Sequence, residues 1–512
     1  FKKNSKQDRM IMKVKLNKTI RAISLSMGLF LFSATMYAQE AMSIAVEAQE
    51  AEPAVSDSVF IDIEAALSIA MNESPTIKIA DMEIEKKKYT KKSTQSALYP
   101  QIDAVGQYTR TIKKQTMYMD GGFGGMLGAD LDPTDFTPEE LKIVNVLGKI
   151  LGGSEPTEEE EAEGIQFGRS NMWSAGVVVN LPIIVPSLWK NIQLTSIDVE
   201  LAVEQSRSSK IELANQVKKA FYGALLAQDS YNVYKKTFDT ESEVLKDIQN
   251  KFEQGLVAEY DLITASVRLQ NIIPEMLQTR NAVQLAILQL KALMGIDLEV
   301  PLGIIGSLEN YEDDMYADLL DTDLSLINNS DLRQIDLQIE QLKKVYELRT
   351  SQYLPTLTAN LNYQYMSQNN DFKFGDYKWD PYATAGITLA IPIFDGGRKH
   401  YDRKEAKLTV SQVEMQREDA ERQIKLMLQN QINQIAKSIE QVNSLKTARK
   451  QAEKGYEIAV KRYETGMGTI VDVNQAALGV TSTGLQYNNA IYDYMTAKSE
   501  LEKVIGADQP IF

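Results

Sequence analysis

Two stretches of roughly 60 residues, from Leu188 to Lys251 and from His400 to Tyr463, contain no proline. As continuous helix each would run ~95 Å, against about a dozen residues for the average helix of a globular protein. No ordinary globular core houses helices of that length, and no Gly- or Pro-rich linker divides the chain, so a single elongated architecture is expected. Within the second stretch Leu428, Ile432, Ile435, Ile439 and Val442 step 4-3-4-3, the knob spacing of a coiled coil. Gly255 and Gly466 break the runs, and a second long helix is predicted to return over about 260–293 and about 471–504.

The two stretches belong to two copies of one unit. Trp173-Ser-Ala-Gly-Val-Val-Val-Asn-Leu-Pro-Ile183 lines up with Ala383-Thr-Ala-Gly-Ile-Thr-Leu-Ala-Ile-Pro-Ile393, matching Ala-Gly and Pro-Ile. Lys251-Phe-Glu-Gln-Gly255 with Asp261 lines up with Arg462-Tyr-Glu-Thr-Gly466 with Asp472, and Met294-Gly295 with Ile505-Gly506 keeps that spacing. Upstream, Ile77 to Ile102, closing on Tyr99-Pro100, matches Leu332 to Leu357, closing on Leu354-Pro355. Internal similarity over so long a period marks a repeated structural unit.

Each copy switches from helical to alternating periodicity and back. In Thr356 to Tyr365 apolar and polar residues alternate strictly, the mark of a strand with one oily and one wet face. Three more strands alternate likewise, around Ile102 to Tyr108, Trp173 to Leu181 and Ala383 to Ile391. Each is about 10 residues long, the span of a tilted strand crossing a bilayer. Tyr108, Trp173, Tyr363, Tyr365, Trp379 and Tyr382 near the strand ends suit interfacial girdles. A soluble sandwich also alternates, and the helix length decides against it. Pro100, Pro182, Pro355 and Pro392 are predicted at strand–helix junctions, where a residue without an N–H is tolerated. Gly396 and Gly397 in Asp395-Gly-Gly-Arg398 are read as a strand-to-helix turn, since the spacing is not that of a phosphate-binding loop. Asp62 is placed as N-cap of the first short helix.

The predicted organisation is then residues 1–38, a signal peptide with upstream residues; 39–58, a flexible N-terminal segment; 59–299, the first repeat; 300–322, a linker or equatorial segment; and 323–512, the second repeat. Strands are expected at about 101–110 and 172–182, and at 356–366 and 382–392. The signal rests on Lys13, Lys15, Lys18 and Arg21 before an apolar run from Ala22 to Phe32 and small residues up to Ala38. That run is shorter than the ~20 residues of a spanning helix. The first repeat carries an insertion, 120–168, rich in Asp and Glu from Asp130 to Glu163 and in glycine from Gly121 to Gly125, read as a solvated loop.

Composition removes most chemistry. With no cysteine and the single histidine His400, disulfides, thiolate catalysis and Cys/His metal sites fall away. No cofactor, metal site or catalytic constellation is expected, and the methionines are read as filler. A net charge of −15 disfavours nucleic acid as a partner. Four membrane strands cannot close a barrel, and an open edge in lipid leaves several kcal/mol unsatisfied per backbone group. Copies of the chain must close it: two give eight strands with a filled interior, three give twelve with a lumen. Ser174, Asn180, Asn360, Asn362, Thr384 and Thr388 would line that wet interior.

Three stretches are the most specific in the chain: Tyr463-Glu-Thr-Gly-Met-Gly-Thr-Ile-Val-Asp-Val473, Phe252-Glu-Gln-Gly-Leu-Val-Ala-Glu-Tyr-Asp261 and Ile391-Pro-Ile-Phe-Asp-Gly-Gly-Arg398. By them the chain resembles the TolC family of outer-membrane efflux channels, from about Val59 to Asp508. Resemblance implies an α+β membrane protein with a duplicated strand and long-helix repeat. It implies a homotrimer with a 12-stranded outer-membrane β-barrel, continued by a periplasmic α-helical barrel. It also implies a periplasmic adaptor, an inner-membrane transporter and the lipid bilayer as partners. Asp472 falls at the family's aspartate ring of the periplasmic entrance, and a second ring position falls on Gln475. Asp261, with Tyr260 beside it, and Tyr463 match the entrance gate, whose arginine is Gly468 here. Gly255-Leu256 and Gly466-Met467 match the adaptor-docking helix tips. Asp261 or Asp472 could also simply cap the helix that restarts after the glycine turn, a role compatible with the implied one. The implied function is the exit duct of a tripartite system exporting drugs, toxic compounds or metals. The alternatives are a type I protein-secretion channel and, from another class, a periplasmic coiled-coil structural protein.

Overall fold

The structure, a computed structural model, describes residues 59–117, 136–150, 165–312, 315 and 324–507. The predicted signal peptide, the N-terminal segment and most of the acidic insertion lie outside the described residues. The elements, in chain order, are β1 (Val59–Ile61), α1 (Ile63–Glu73), α2 (Pro75–Ser96), β2 (Gln101–Arg110), β3 (Gln115–Met117), α3 (Pro138–Ile150), β4 (Ile165–Phe167) and β5 (Asn171–Ile184). They continue with α4 (Pro186–Glu253), α5 (Glu259–Met294), β6 (Leu302–Ile304), α6 (Ser330–Ser351), β7 (Thr356–Asn369), β8 (Asp380–Ala390), α7 (Arg398–Glu464) and α8 (Ile470–Ile505). The two longest helices hold 68 and 67 residues, so each is about 100 Å long. On α7 the 4-3-4-3 seam turns inward: Ile435 and Val442 are buried and Leu428, Ile432 and Ile439 partly so. No described helix is long and apolar enough to cross a membrane.

The chain forms two compact units. The first draws on Val217–Asp314, Val442–Tyr492 and residues up to Ala70. In it the C-terminal parts of α4 and α7 pack with α5 and most of α8 around Phe221, Leu225, Ile248, Tyr487 and Ile491. The segment after α5, expected as a linker, holds β6, which pairs in parallel with β1. A short 3-10 turn over Leu308–Tyr311 follows. Asp229 on α4 fixes that turn, accepting from Leu308 N at 2.8 Å and from the Ser307 hydroxyl at 3.1 Å.

The second unit holds the four-stranded antiparallel sheet in the order β2-β5-β7-β8. Its helices follow the same order. Ser206 on α4 donates to Asp81 on α2 (3.1 Å), Gln341 on α6 donates to Asp198 on α4 (2.6 Å), and Arg417 on α7 donates to Asp336 on α6 (2.8 Å). Register sorts the sheet into two faces. Ile102, Val179, Leu361 and Ala385 share one row, and Ala104, Val177, Tyr363 and Ala383 another on the same side. The opposite side carries Gln101, Asn180 and Asn360 in one row and Asp103, Asn362 and Thr384 in the next. Most of the apolar face is exposed within the chain, Ile102 and Ile387 above all. A soluble sheet would bury it under a second layer.

The prolines divide. Pro100 and Pro355 stand between helix and strand, and the strand predicted to 392 stops at Ala390, just short of Pro392, which has no N–H for the ladder. Pro182 corrects the sequence reading: it lies inside β5, a central strand, not at a junction. The ladder to β7 passes from Pro182 directly to Ile184, a bulge that absorbs the missing donor. Gly396 and Gly397 (φ 73° and 86°) make the turn into α7. Asp395 holds that turn by accepting from Gly397 N and Lys399 N, both at 3.2 Å. His400 is exposed on the first turn of α7. Asp62 accepts from Ala65 N at 2.8 Å and caps α1.

Candidate functional site

The two helix hairpins α4–α5 and α7–α8 close on turns of the same geometry. Gly255 takes φ 72° and Gly466 φ 69°, conformations that only glycine adopts without strain. Gly255 N donates to Phe252 O and Leu256 N to Lys251 O, both at 2.9 Å. In the second hairpin Gly466 N donates to Tyr463 O at 3.0 Å and Met467 N to Arg462 O at 2.8 Å. These paired bonds form the left-handed helix stop that satisfies the last carbonyls. The residue after each glycine, Leu256 or Met467, projects from the tip and is 69% or 68% exposed. Both copies thus expose an apolar side chain at the same place on the tip.

The helices that restart after the turns differ. Thr469 precedes α8, and Asp472 Oδ2 accepts from Thr469 N and from its hydroxyl, both at 2.9 Å, while Asp472 N donates to Thr469 Oγ1 at 3.2 Å. This is a reciprocal capping box. Those two bonds from Thr469 hold the exposed Asp472 carboxyl below its ordinary range, with Arg462 adding to the effect. Gln475 is exposed one turn further along α8. The equivalent cap position before α5 is Ala258, which makes no side-chain bond. Asp261 is therefore free of a cap and half-buried, and Tyr260 beside it is exposed.

Beneath the tips Ile248, Ala265, Ile470 and Val473 form a buried core, flanked by Leu245, Leu262, Val460 and Tyr463. The Tyr463 hydroxyl is buried without a hydrogen-bond partner among the described residues. Burial first, then the carboxylates of Asp261 and Asp247, push its phenol up to about 12. The structure thus brings Asp261 and Tyr463 together and leaves Asp472 outside that pair. Gly468 is packed so closely that an added Cβ would meet Arg462 Cβ at 3.1 Å. Arg462 Nη2 donates to Met467 O at 3.1 Å, so an arginine does serve this turn, from six residues earlier in the chain. Its signal was its place directly before Tyr463 in the repeated motif.

One polar layer was missed altogether. Glu241 on α4 is 2% exposed in side chain, with Arg268 Nε of α5 at 3.9 Å. Neither that nitrogen, nor Glu241 Oε1, nor the Tyr456 hydroxyl of α7 has a hydrogen-bond partner among the described residues. Burial pushes the Glu241 carboxyl up, with Arg268 opposing, and pushes the Tyr456 phenol up to about 12. Arg268 follows Asp261 by one heptad and Tyr456 precedes Tyr463 by one heptad, so this layer stacks on the Asp261–Tyr463 layer.

Residues 66–296 and 322–507 match the family described as outer membrane efflux protein. Outer membrane protein TolC of Vibrio cholerae is 22% identical over 346 residues, 66% of this chain and 77% of that protein. Alkaline protease secretion protein AprF of Pseudomonas aeruginosa is 23% identical over 311 residues, 60% of this chain and 64% of that one. The solved CmeC outer membrane channel of Campylobacter jejuni superposes with a TM-score of 0.62 at 16% identity, covering 87% of this chain and 85% of its own.

Proposed function

This chain belongs to the outer membrane efflux protein family, and from that membership we propose that three copies assemble into the exit duct of a tripartite efflux system. The observation that carries the assembly is the match between strand and helix edges. Strands β2 and β8 are the two unpaired edges of the sheet, and α2 and α7 stand at the ends of the same order in the helices. Each edge helix exposes an apolar seam: Ile79, Met82 and Tyr89 on α2, and Tyr401, Leu408 and Met415 on α7 at heptad spacing. An edge of β2 and α2 on one copy fits an edge of β8 and α7 on the next, which pairs every strand and buries both seams. Twelve strands leave a lumen, which the polar rows of the sheet would line, whereas eight would be filled by side chains.

In this assembly the exposed Asp472 carboxylates form an acidic ring at the periplasmic entrance, with Gln475 as an uncharged second ring. Tyr463 and Asp261 gate that entrance, Tyr260 lies at its rim, and Leu256 and Met467 on their glycine turns dock a periplasmic adaptor. The inner-membrane transporter drives small toxic molecules through, and the duct itself is passive. Electrophoresis without boiling after membrane fractionation tests the assembly: a band at three times the chain mass in the outer-membrane fraction is expected, and a soluble monomer overturns it. In planar bilayers the open pore should favour cations, and Asp472→Ala should lower that preference. An unchanged reversal potential removes Asp472 from the ring.

The likeness to AprF, named for protease secretion, supports a second reading as the exit channel of a protein-secreting exporter. Deleting the chain separates the two: greater sensitivity to toxic compounds with an unchanged set of secreted proteins favours efflux, and the reverse favours secretion.

A further inference from the structure

The far end of the sheet, away from the helix junctions at Pro100 and Pro355, carries cations that the transport reading leaves unused. On the apolar face Tyr108 pairs with Trp173, their rings 4.2 Å apart, and the next row on that face is Arg110, Asn171 and Asn369. Arg110 is exposed, with its guanidinium 5.8 Å over the ring of Phe372. Arg169 Nη1 donates to Asn369 Oδ1 at 3.1 Å, and Lys114 Nζ donates to Asn370 Oδ1 at 3.3 Å. Asn171 is buried and fixed, accepting from the Tyr108 hydroxyl at 2.9 Å and donating to Asp371 O at 3.1 Å. Neutral amides and an aromatic ring thus position these cations without neutralising them. None of the three forms an ion pair among the described residues. Around them, residues 110–114, 168–171 and 369–380 hold Arg110, Lys113, Lys114, Arg169, Lys373 and Lys378 against Asp371, Asp376 and Asp380, in a chain whose net charge is −15.

On a face that meets lipid, the row just beyond the aromatic girdle lies at the depth of the headgroups. A guanidinium there has the fork geometry of a phosphate partner. Below it Ile102, Ala104, Val177 and Val179 offer an unbroken apolar surface for acyl chains. We propose that Arg110 and Arg169, with Lys114, bind the phosphate groups of a phosphate-bearing lipid in the outer leaflet. The proposal rests on the outer-membrane placement of the sheet, and its test separates the two.

The full chain is reconstituted as its oligomer into phosphatidylcholine vesicles containing diphosphoryl lipid A or the same lipid with its phosphates removed, and the lipid retained per chain after extraction is measured by mass spectrometry. Diphosphoryl lipid A should be retained and the dephosphorylated form lost. Arg110→Gln with Arg169→Gln should weaken retention by about thirtyfold, from ~1 kcal/mol per cation near a membrane surface. Arg110→Lys with Arg169→Lys should keep most of it, which guards against a folding defect in the glutamine pair. Equal retention of both lipids, unchanged retention by the glutamine pair, or displacement by free inorganic phosphate overturns the lipid site. A chain that enters none of the vesicles overturns the membrane placement instead.

Discussion

The two hairpin tips share a backbone and differ in side chains. Both stop on a left-handed glycine, Gly255 or Gly466, and both project an apolar residue, Leu256 or Met467. The second then restarts on the Thr469–Asp472 capping box, where the first has Ala258 and an uncapped Asp261. The first hairpin buries the pair Glu241 and Arg268 where the repeat places Ala452 and Gly479 in the second. Duplication has kept what backbone geometry demands, because a turn without glycine would be strained in either copy. It has let the copies diverge in the groups that decide how firmly each hairpin is held. The second is capped at its exposed end, and the first buries a charged pair beside Tyr456 of the other hairpin.

Breaking the buried pair should have the largest effect. Arg268→Ala leaves Glu241 in the core without its counter-charge, which costs about 3–5 kcal/mol, read as a lower unfolding midpoint. Replacing both, Glu241→Leu with Arg268→Met, should recover most of that loss, since a buried pair is often no better than an apolar substitute. A midpoint for Arg268→Ala as small in shift as that for the exposed Arg422→Ala would show that the layer holds nothing.

The buried Glu241 and the capping Asp472 predict opposite pH slopes in the two hairpins. Burial raises the Glu241 carboxyl in the folded chain, so its contribution is fully present below the ordinary carboxylate range and is lost as pH rises through the folded value. The cap lowers Asp472, so its contribution is present above the ordinary value and is lost as pH falls through the folded one. Glu241→Gln should flatten the first dependence and Asp472→Asn the second, in unfolding midpoints followed across pH. A shared slope in both variants would mean that the two groups do not act separately.

Much of this division was legible in the residues. The glycine turns, long helices and strand faces follow from spacing alone, because φ, period and length act locally. Asp472 was legible as a cap, since Thr469 stands three residues before it. The Glu241–Arg268–Tyr456 layer was not, because a charge on a polar-rich helix reads as solvated until the other hairpin covers it. Only the heptad spacings from Asp261 to Arg268 and from Tyr456 to Tyr463 hinted at it. Pro182 was misread for a related reason: a bulge that lets proline into a central strand is set by the partner strand β7, not by the residues around the proline.

Caps offer a smaller and cleaner comparison. Thr469→Ala should cost the second hairpin about 1 kcal/mol. Ala258→Thr should give the first hairpin the same box with Asp261 and stabilise it by up to about 1 kcal/mol. Forming that box requires Asp261 to turn toward residue 258 and away from Tyr463, so the phenol should titrate lower in ultraviolet difference spectra. If Ala258→Thr raises the unfolding midpoint while the phenol is unmoved, Asp261 was not what acts on Tyr463.

The smallest effect expected is that of Tyr463→Phe. The hydroxyl is buried beside the Asp261 carboxylate with no well-formed hydrogen bond among the described residues, so removing it relieves its desolvation at the loss of a weak contact, a net change of less than about 1 kcal/mol. Asp261 loses its phenolic neighbour in that variant, while the ring stays against Lys251, whose ammonium lies 5.9 Å from its centre. A neutral or raised midpoint with easier opening in bilayer recordings would assign the Tyr463 hydroxyl to gating and not to folding. A midpoint lowered as far as in Thr469→Ala would mean that the hydroxyl is bonded in the assembled duct, and the first tip would then be anchored as firmly as the second.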